Sequence, residues 1–173
     1  SAEKRTGHAA IDSTGFDRDQ PSRHYANRTN YRVRALKVTA LVDVETLYIT
    51  DIHSTTSKKH DAKIGPQVAR RNAGDLRSLA ADRGYDAKAF RDELHENGIR
   101  PLIKHRIMNP LDHAHNARMD GDRYHQRSMS ETVFSSIKRT LGAVVRARSW
   151  WLEFREMLLK ATVYNLRRSV RYP

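Results

Sequence analysis

The chain has 173 residues and carries 32 Lys and Arg against 20 Asp and Glu, which gives a formal net charge of +12 at pH 7. This length predicts one domain over residues 1–173 with an apolar core of its own. The absence of cysteine excludes disulfides, Cys-ligated zinc and a Cys nucleophile, and no apolar run approaches the ~20 residues of a membrane span. The positive charge favours a polyanionic partner, with nucleic acid ahead of an anionic membrane.

The first third of the chain predicts three strands. Residues 9–14 form a short apolar run with Asp12 near its end, and residues 33–43 and 47–55 predict an antiparallel pair joined by a short turn. Between the first two strands lies a polar, basic segment whose cations alternate with tyrosines: Arg18, Arg23, Tyr25, Arg28, Tyr31, Arg32 and Arg34. Such spacing fits a surface that follows a nucleic-acid backbone and stacks on bases. A solvated hairpin or loop explains the same pattern.

Helices and strands alternate in the middle of the chain. The predicted elements are a helix over 60–72, a strand over 76–81, a helix over 86–96, a strand over 99–104 and an aperiodic loop over 106–121. Gly65 and Pro66 could interrupt the first helix, and Asp82 directly follows the strand over 76–81. His113 and His115 could ligate a metal ion, but no nearby residue supplies a third ligand.

A helix without Pro or Gly is predicted over residues 124–138. At about 100° per residue, four polar side chains fall within a sector of roughly 60°: Tyr124, Arg127, Glu131 and Lys138. A neighbouring apolar stripe is typical of a helix that packs on a core, and it consists of Met129, Val133, Phe134, Ile137 and Leu141. Taken alone, the polar row is more typical of a solvated charged face.

A final basic helix is predicted over about 150–170. One of its faces carries Trp150, Phe154, Met157, Ala161 and Tyr164. The aromatic members could stack on bases, but this helical spacing is what packing against a core demands. We therefore interpret the face as part of the core.

The order of the elements predicts an α/β protein with a mixed sheet and helices packed on it. It is the element order of the ribonuclease-H-like fold, a mixed five-stranded sheet in which the first and fourth strands are neighbours. Asp12 and Asp82 would then lie close together, with Glu131 on a helix above them. Such an all-oxygen pocket suits Mg²⁺ or Mn²⁺, and two such ions about 3.5–4 Å apart support in-line displacement at a phosphodiester.

Three motifs resemble those of the insertion-sequence DDE transposases: Asp12-Ser13-Thr14, Asp82-Arg83-Gly84-Tyr85, and the spaced row Tyr124, Arg127, Glu131, Lys138. The resemblance implies that Asp12, Asp82 and Glu131 are catalytic and bind two Mg²⁺ or Mn²⁺ ions. It also implies DNA contacts at Tyr124, Arg127 and Lys138, to which the basic segment adds Arg28 and Arg32. The implied activity is cleavage of phosphodiester bonds at transposon ends, followed by transfer of the 3′ hydroxyl into target DNA.

The resemblance further implies a setting: double-stranded DNA as partner, a homodimer on that DNA, no membrane, and the nucleoid in the cytoplasm of a prokaryotic cell. Because the chain begins with Ser almost on top of a strand, we expect a fragment that lacks an N-terminal DNA-binding region. The 49 residues from Asp82 to Glu131 leave no room for the large β insertion of some relatives. Two alternatives stay open, a nuclease of the same fold that cuts without joining and a catalytically inactive DNA-binding fragment.

Overall fold

A five-stranded sheet forms the centre of the computed structural model, which describes residues 6–18, 24, 28–29, 34–57 and 59–171. Its strands are β1 (His8–Asp17), β2 (Ala35–Asp43), β3 (Ile49–Thr55), β4 (Ser78–Ala81) and β5 (Arg100–Ile103). Their order is β3-β2-β1-β4-β5. The first three are antiparallel neighbours, whereas β4 and β5 run parallel to β1. The predicted mixed sheet, with the first and fourth strands adjacent, is confirmed.

Helices flank this sheet. They are α1 (Asp61–Arg71), α2 (Lys88–Glu96), α3 (Pro110–Arg118), α4 (Gly121–His125), α5 (Ser128–Leu141) and α6 (Trp150–Arg171), with 3₁₀ turns at Ala73–Asp75 and Arg83–Tyr85. Within the described residues, no helix has both the length and the apolar composition needed to cross a membrane.

Side chains of β1 alternate between two apolar layers, because successive residues of a strand point to opposite faces. Ile11 belongs to the layer under α1 and α2, and Phe16 belongs to the layer under α5 and α6. Asp12 and Thr14 therefore share the face of Phe16, whereas Ser13 shares the face of Ile11. This alternation directs the first predicted acid toward α5.

The apolar stripe predicted for α5 is confirmed where it meets the sheet. Val133, Phe134 and Ile137 are buried in the same cluster as Phe16 and residues of β2. The predicted core face of α6 is confirmed at Met157 and Ala161, which are buried, but it is wrong at Trp150, which is 58% exposed. That tryptophan packs edge-on against the ring of Phe154 instead of entering the core.

Three local predictions are wrong. The first strand does not end soon after Asp12, because β1 pairs with β2 as far as Asp17. Residues 110–118 form α3 rather than a loop, because Asn109 and Asp112 make a reciprocal capping box and Pro110 suits the first helical turn. The interruption of the first predicted helix at Gly65 and Pro66, which the sequence left open, does not occur, since α1 runs unbroken through Pro66. The helix predicted over 124–138 is two helices, since α4 ends at His125 and α5 begins at Ser128.

Two side chains of α6 hold the segment that follows α5. Lys160 is buried and donates hydrogen bonds to the carbonyls of Gly142, at 3.1 Å, and Val144, at 2.8 Å. The Glu156 carboxylate accepts from the backbone N–H groups of Arg146 and Ala147, each at 2.9 Å. These bonds satisfy backbone groups that the segment cannot pair within itself.

Candidate active site

Two of the predicted acids are neighbours by sheet register. The parallel pairing of β1 with β4 matches Ile11 with Ala81, so the next residues along the two strands are Asp12 and Asp82. Asp82 is exposed, and its Oδ1 accepts a 2.7 Å hydrogen bond from the Gly84 N–H. A Cβ at position 84 would lie 2.8 Å from that oxygen, so the glycine leaves room for the carboxylate.

The third acid, Glu131, lies in the first turn of α5 and faces the same groove as Asp12. The Glu131 Oε1 is 3.4 Å from Nη1 of Arg127, one helical turn earlier. The open groove is lined by Asp12, Thr14, Glu131, Phe134, Ser135, Lys138 and Arg139. Asp12 and Glu131 therefore meet in one groove beside two cations.

Negative charge is concentrated around Asp12. Burial of its carboxyl group raises the pKa of Asp12 to about 6, and the charges of Asp82, Glu131 and Asp61 add to the rise, while a hydrogen bond with the Ser13 backbone opposes it. Asp61 begins α1 and forms a 2.8 Å ion pair with Lys37. A bound cation would relieve the repulsion that the three predicted acids impose on one another.

The donor set fits a hard divalent cation, because all three predicted ligands are carboxylates. Their arrangement is open, however. Within the ranges that the structure describes, no three acidic or histidine side chains lie close enough together to hold a metal ion. Asp82 is turned toward Gly84, and Glu131 is turned toward Arg127. Because both contacts are exposed to solvent, each carboxylate can exchange its present partner for a metal ion.

Other motif residues connect the acid-bearing elements to one another. The Ser13 hydroxyl, next to Asp12, lies 2.9 Å from the Tyr85 hydroxyl and 2.7 Å from that of Thr39. Lys138 Nζ donates a 2.7 Å hydrogen bond to the Thr14 hydroxyl. Each predicted motif is thus tied to another by a side chain that is not an acid. Sequence reasoning recognised these motif positions but did not predict the bonds.

Tyr124 is only 6% exposed. The Lys104 ammonium lies 4.5 Å from the centre of its ring, and the Arg127 guanidinium lies 5.4 Å from it. This burial favours a supporting role for Tyr124 over stacking on a base. Arg127 remains at the edge of the groove through its contact with Glu131.

The basic segment between β1 and β2 is described only in part. Arg28 is exposed, whereas Arg32 and the other predicted contacts Arg23, Tyr25 and Tyr31 lie outside the described residues. Arg18 forms a 2.7 Å ion pair with the buried Glu153. The fold therefore uses Arg18 to hold α6.

The two histidines considered as metal ligands have other surroundings. The His115 ring stacks on that of His105, with 3.7 Å between centroids. His105 Nδ1 lies 3.1 Å from Asp112 Oδ1, and His113 is exposed. These residues join α3 to the end of β5.

Comparisons with known proteins agree with this geometry. The family model described as the transposase DDE domain matches residues 3–166, and no curated protein sequence matches significantly. One similar structure is a piggyBac transposase synaptic complex with hairpin DNA, at 12% identity and a TM-score of 0.56, covering 92% of this chain and 46% of that one.

Another similar structure is a simian T-cell lymphotropic virus intasome in complex with PP2A regulatory subunit B56 gamma. It has 11% identity and a TM-score of 0.50, and the match covers 90% of this chain and 47% of that one. This chain therefore spans slightly less than half the length of either protein. At such identities the likeness shows a shared ribonuclease-H-like fold. The family match, which runs over nearly the whole chain, shows that it belongs to the transposase DDE domain family.

Proposed function

We propose that this chain is the catalytic domain of a DNA transposase, which cleaves phosphodiester bonds at transposon ends and transfers the 3′ hydroxyl into target DNA. One observation carries the proposal: Asp12 and Glu131 share a groove with Lys138, and Asp82 is next to Asp12 in the sheet register. Phosphodiester displacement needs carboxylates that bind metal ions and positively charged side chains that bind phosphates. The groove offers both.

Membership of the family implies dependence on a divalent metal ion. We infer that Asp12, Asp82 and Glu131 hold Mg²⁺ or Mn²⁺, with two ions per site. When bound, such ions activate a water and stabilise the leaving oxygen. The chain contributes by giving up the contacts of Asp82 with Gly84 and of Glu131 with Arg127 in exchange for the metal.

Lys138 is proposed to bind phosphates beside the cleaved bond. Its ammonium is fixed by the bond to Thr14 and lies 5.2 Å from the centre of the Phe16 ring. An ammonium group held in this way loses little further conformational freedom when it binds a phosphate. Arg127, supported by Tyr124, is proposed to bind a phosphate in the same way at the other end of the row of polar side chains.

Double-stranded DNA is the proposed partner, supported by the charge of +12 and by the hairpin DNA in the piggyBac structure. A homodimer is inferred because transposition brings two ends together. The proposed setting is the cytoplasm of a prokaryotic cell, where the chain would meet the nucleoid.

The decisive experiment is nicking of supercoiled plasmid DNA in Mn²⁺ by wild type and Glu131→Gln. Wild type is expected to nick, and Glu131→Gln is expected to be slower by roughly a thousandfold, because losing a ligand removes several kcal/mol of transition-state stabilisation. Glu96→Gln, an exposed change at the end of α2, is the matched control and should nick like wild type.

Equal nicking by wild type and Glu131→Gln would refute the proposed triad. If no protein nicks but duplex DNA is still bound, the chain is a binding module, a reading that the open arrangement of the acids also allows. Joined products, in addition to nicks, would separate a transposase from a nuclease of the same fold.

A further inference from the structure

We propose that a second groove, between α5 and the C-terminal half of α6, binds the sugar–phosphate backbone of the DNA that continues beyond the scissile bond. This inference rests on the proposed function, because it extends the path of the same substrate. Four arginines line the groove, namely Arg139, Arg167, Arg168 and Arg171, together with the hydroxyls of Thr132 and Ser136. Its volume is about 490 Å³.

The second groove is continuous with the groove of the acids, because Glu131, Ser135 and Arg139 line both. At about 100° per residue, Lys138 lies roughly 20° to one side of Glu131 on α5, whereas Arg139 lies roughly 80° to the other side. Glu131 therefore stands on the ridge between the two grooves. A phosphodiester at Glu131 would have one DNA arm in each.

The lining chemistry fits phosphates. Guanidinium groups bind phosphate oxygens through paired hydrogen bonds. The Ser136 hydroxyl can donate to the same oxygens, whereas the Thr132 hydroxyl donates to the Ser128 carbonyl. Among the described residues that line the second groove, Glu131 is the only acid. From Glu131 to Arg139 the helix advances about 12 Å, which equals the rise of three to four base pairs along a duplex axis at about 3.4 Å each.

The arginines stand on a fixed support. The Asn165 side-chain amide bonds both the N–H of Ile49, at 3.0 Å, and its carbonyl, at 2.8 Å. Arg168 donates to the carbonyl of Thr46, so it helps to dock α6 on the β2–β3 turn. Arg167 and Arg171 are exposed along the groove. Because the helix that carries them is docked, these two cations lose only side-chain freedom when they bind a polyanion.

The test compares Arg167→Ala/Arg171→Ala with a matched control, Arg77→Ala/Arg100→Ala. The control residues are exposed: Arg77 directly precedes β4 and Arg100 is the first residue of β5, at the ends of these strands away from the acids. Binding of a fluorescent 30-base-pair duplex of random sequence is measured by anisotropy in EDTA, from 50 to 200 mM KCl. The groove variant should lower the slope of log K against log salt by about two, and the control should leave the slope unchanged.

An unchanged slope for the groove variant would overturn the proposal. Arg167→Lys/Arg171→Lys guards against misfolding, because it keeps the charge and should keep most of the slope. In plasmid nicking, the alanine variant should raise KM about tenfold, and an unchanged KM would show that the groove does not hold the DNA being cut. Loss of nicking by Glu131→Gln at an unchanged slope tests the proposed function separately.

Discussion

At the scale of single residues, Asp12 has opposite effects on metal binding and on the stability of the metal-free protein. Its carboxylate is partly buried and lies near other carboxylates, which is unfavourable for the metal-free protein and favourable for binding a cation. The pKa of Asp12 is about 6 in the folded chain against an ordinary 3.8. The folded state therefore binds a proton more tightly than the unfolded state, and stability falls as pH rises from about 4 to 6.

We predict that Asp12→Asn raises the melting temperature of the metal-free protein at pH 7.5 by roughly 5 °C, because it removes the buried charge. The gain should vanish below pH 4, where Asp12 is protonated in both states. Thermal unfolding by circular dichroism in EDTA from pH 3.5 to 8 measures this, with the exposed Asp17→Asn as control. A lower melting temperature for Asp12→Asn at every pH would mean that the carboxylate stabilises the fold.

At the scale of elements, hydroxyl contacts hold β1 in place against its neighbours. The bond between Tyr85 and Ser13 crosses from the turn after β4 to the strand that carries Asp12. Tyr85 is buried under α1, where a Cβ on Gly65 would lie 2.8 Å from the Tyr85 ring. Packing therefore fixes the position of the Tyr85 ring, and the hydrogen bond of its hydroxyl fixes β1 relative to that ring.

We predict that Tyr85→Phe lowers stability by about 1 kcal/mol and lowers the nicking rate about tenfold at an unchanged KM, because the two acids are held less rigidly. Nicking kinetics together with urea unfolding measure the two effects. Tyr48→Phe, near the opposite edge of the sheet, is the control. A loss of stability without any loss of rate would limit the bond to a structural role.

The sequence predicted the number and order of the strands, because these depend on short-range patterns. Short, continuous apolar runs precede Asp12 and Asp82, and the parallel register of β1 and β4 makes the two residues neighbours. The break before Ser128 was not predictable, since no Gly or Pro lies there. It accompanies the burial of Tyr124 between Lys104 and Arg127, a tertiary contact that overrides helix propensity.

At the scale of the whole molecule, positive charge is arranged beside the acids. Lys138, Arg139 and the arginines at the end of α6 line adjoining grooves, whereas Arg70 and Arg71 are paired with Glu93 and Asp51. A concentration of cations near the site raises the local concentration of a polyanion.

We predict that Lys138→Ala lowers the salt slope of duplex binding by about one. It should reduce nicking by more than it reduces affinity, because Thr14 also loses its partner. Anisotropy and plasmid nicking measure the two, with Lys63→Ala, an exposed residue of α1, as control. An unaltered slope would place Lys138 on a solvated face.

The β1–β4 ladder also has a consequence for protein engineering. It fixes Asp12 and Asp82 by backbone pairing, and Glu131 comes from a helix that docks through its own apolar side chains. Arg106, in the turn between β5 and α3, hydrogen-bonds Asp86 and the Arg83 carbonyl in the turn after Asp82, but the tip of this β5–α3 turn is exposed, with Met108 at 87%. That turn is where a reporter or a programmable DNA-targeting module could be spliced into the chain while the spacing of the acids is kept.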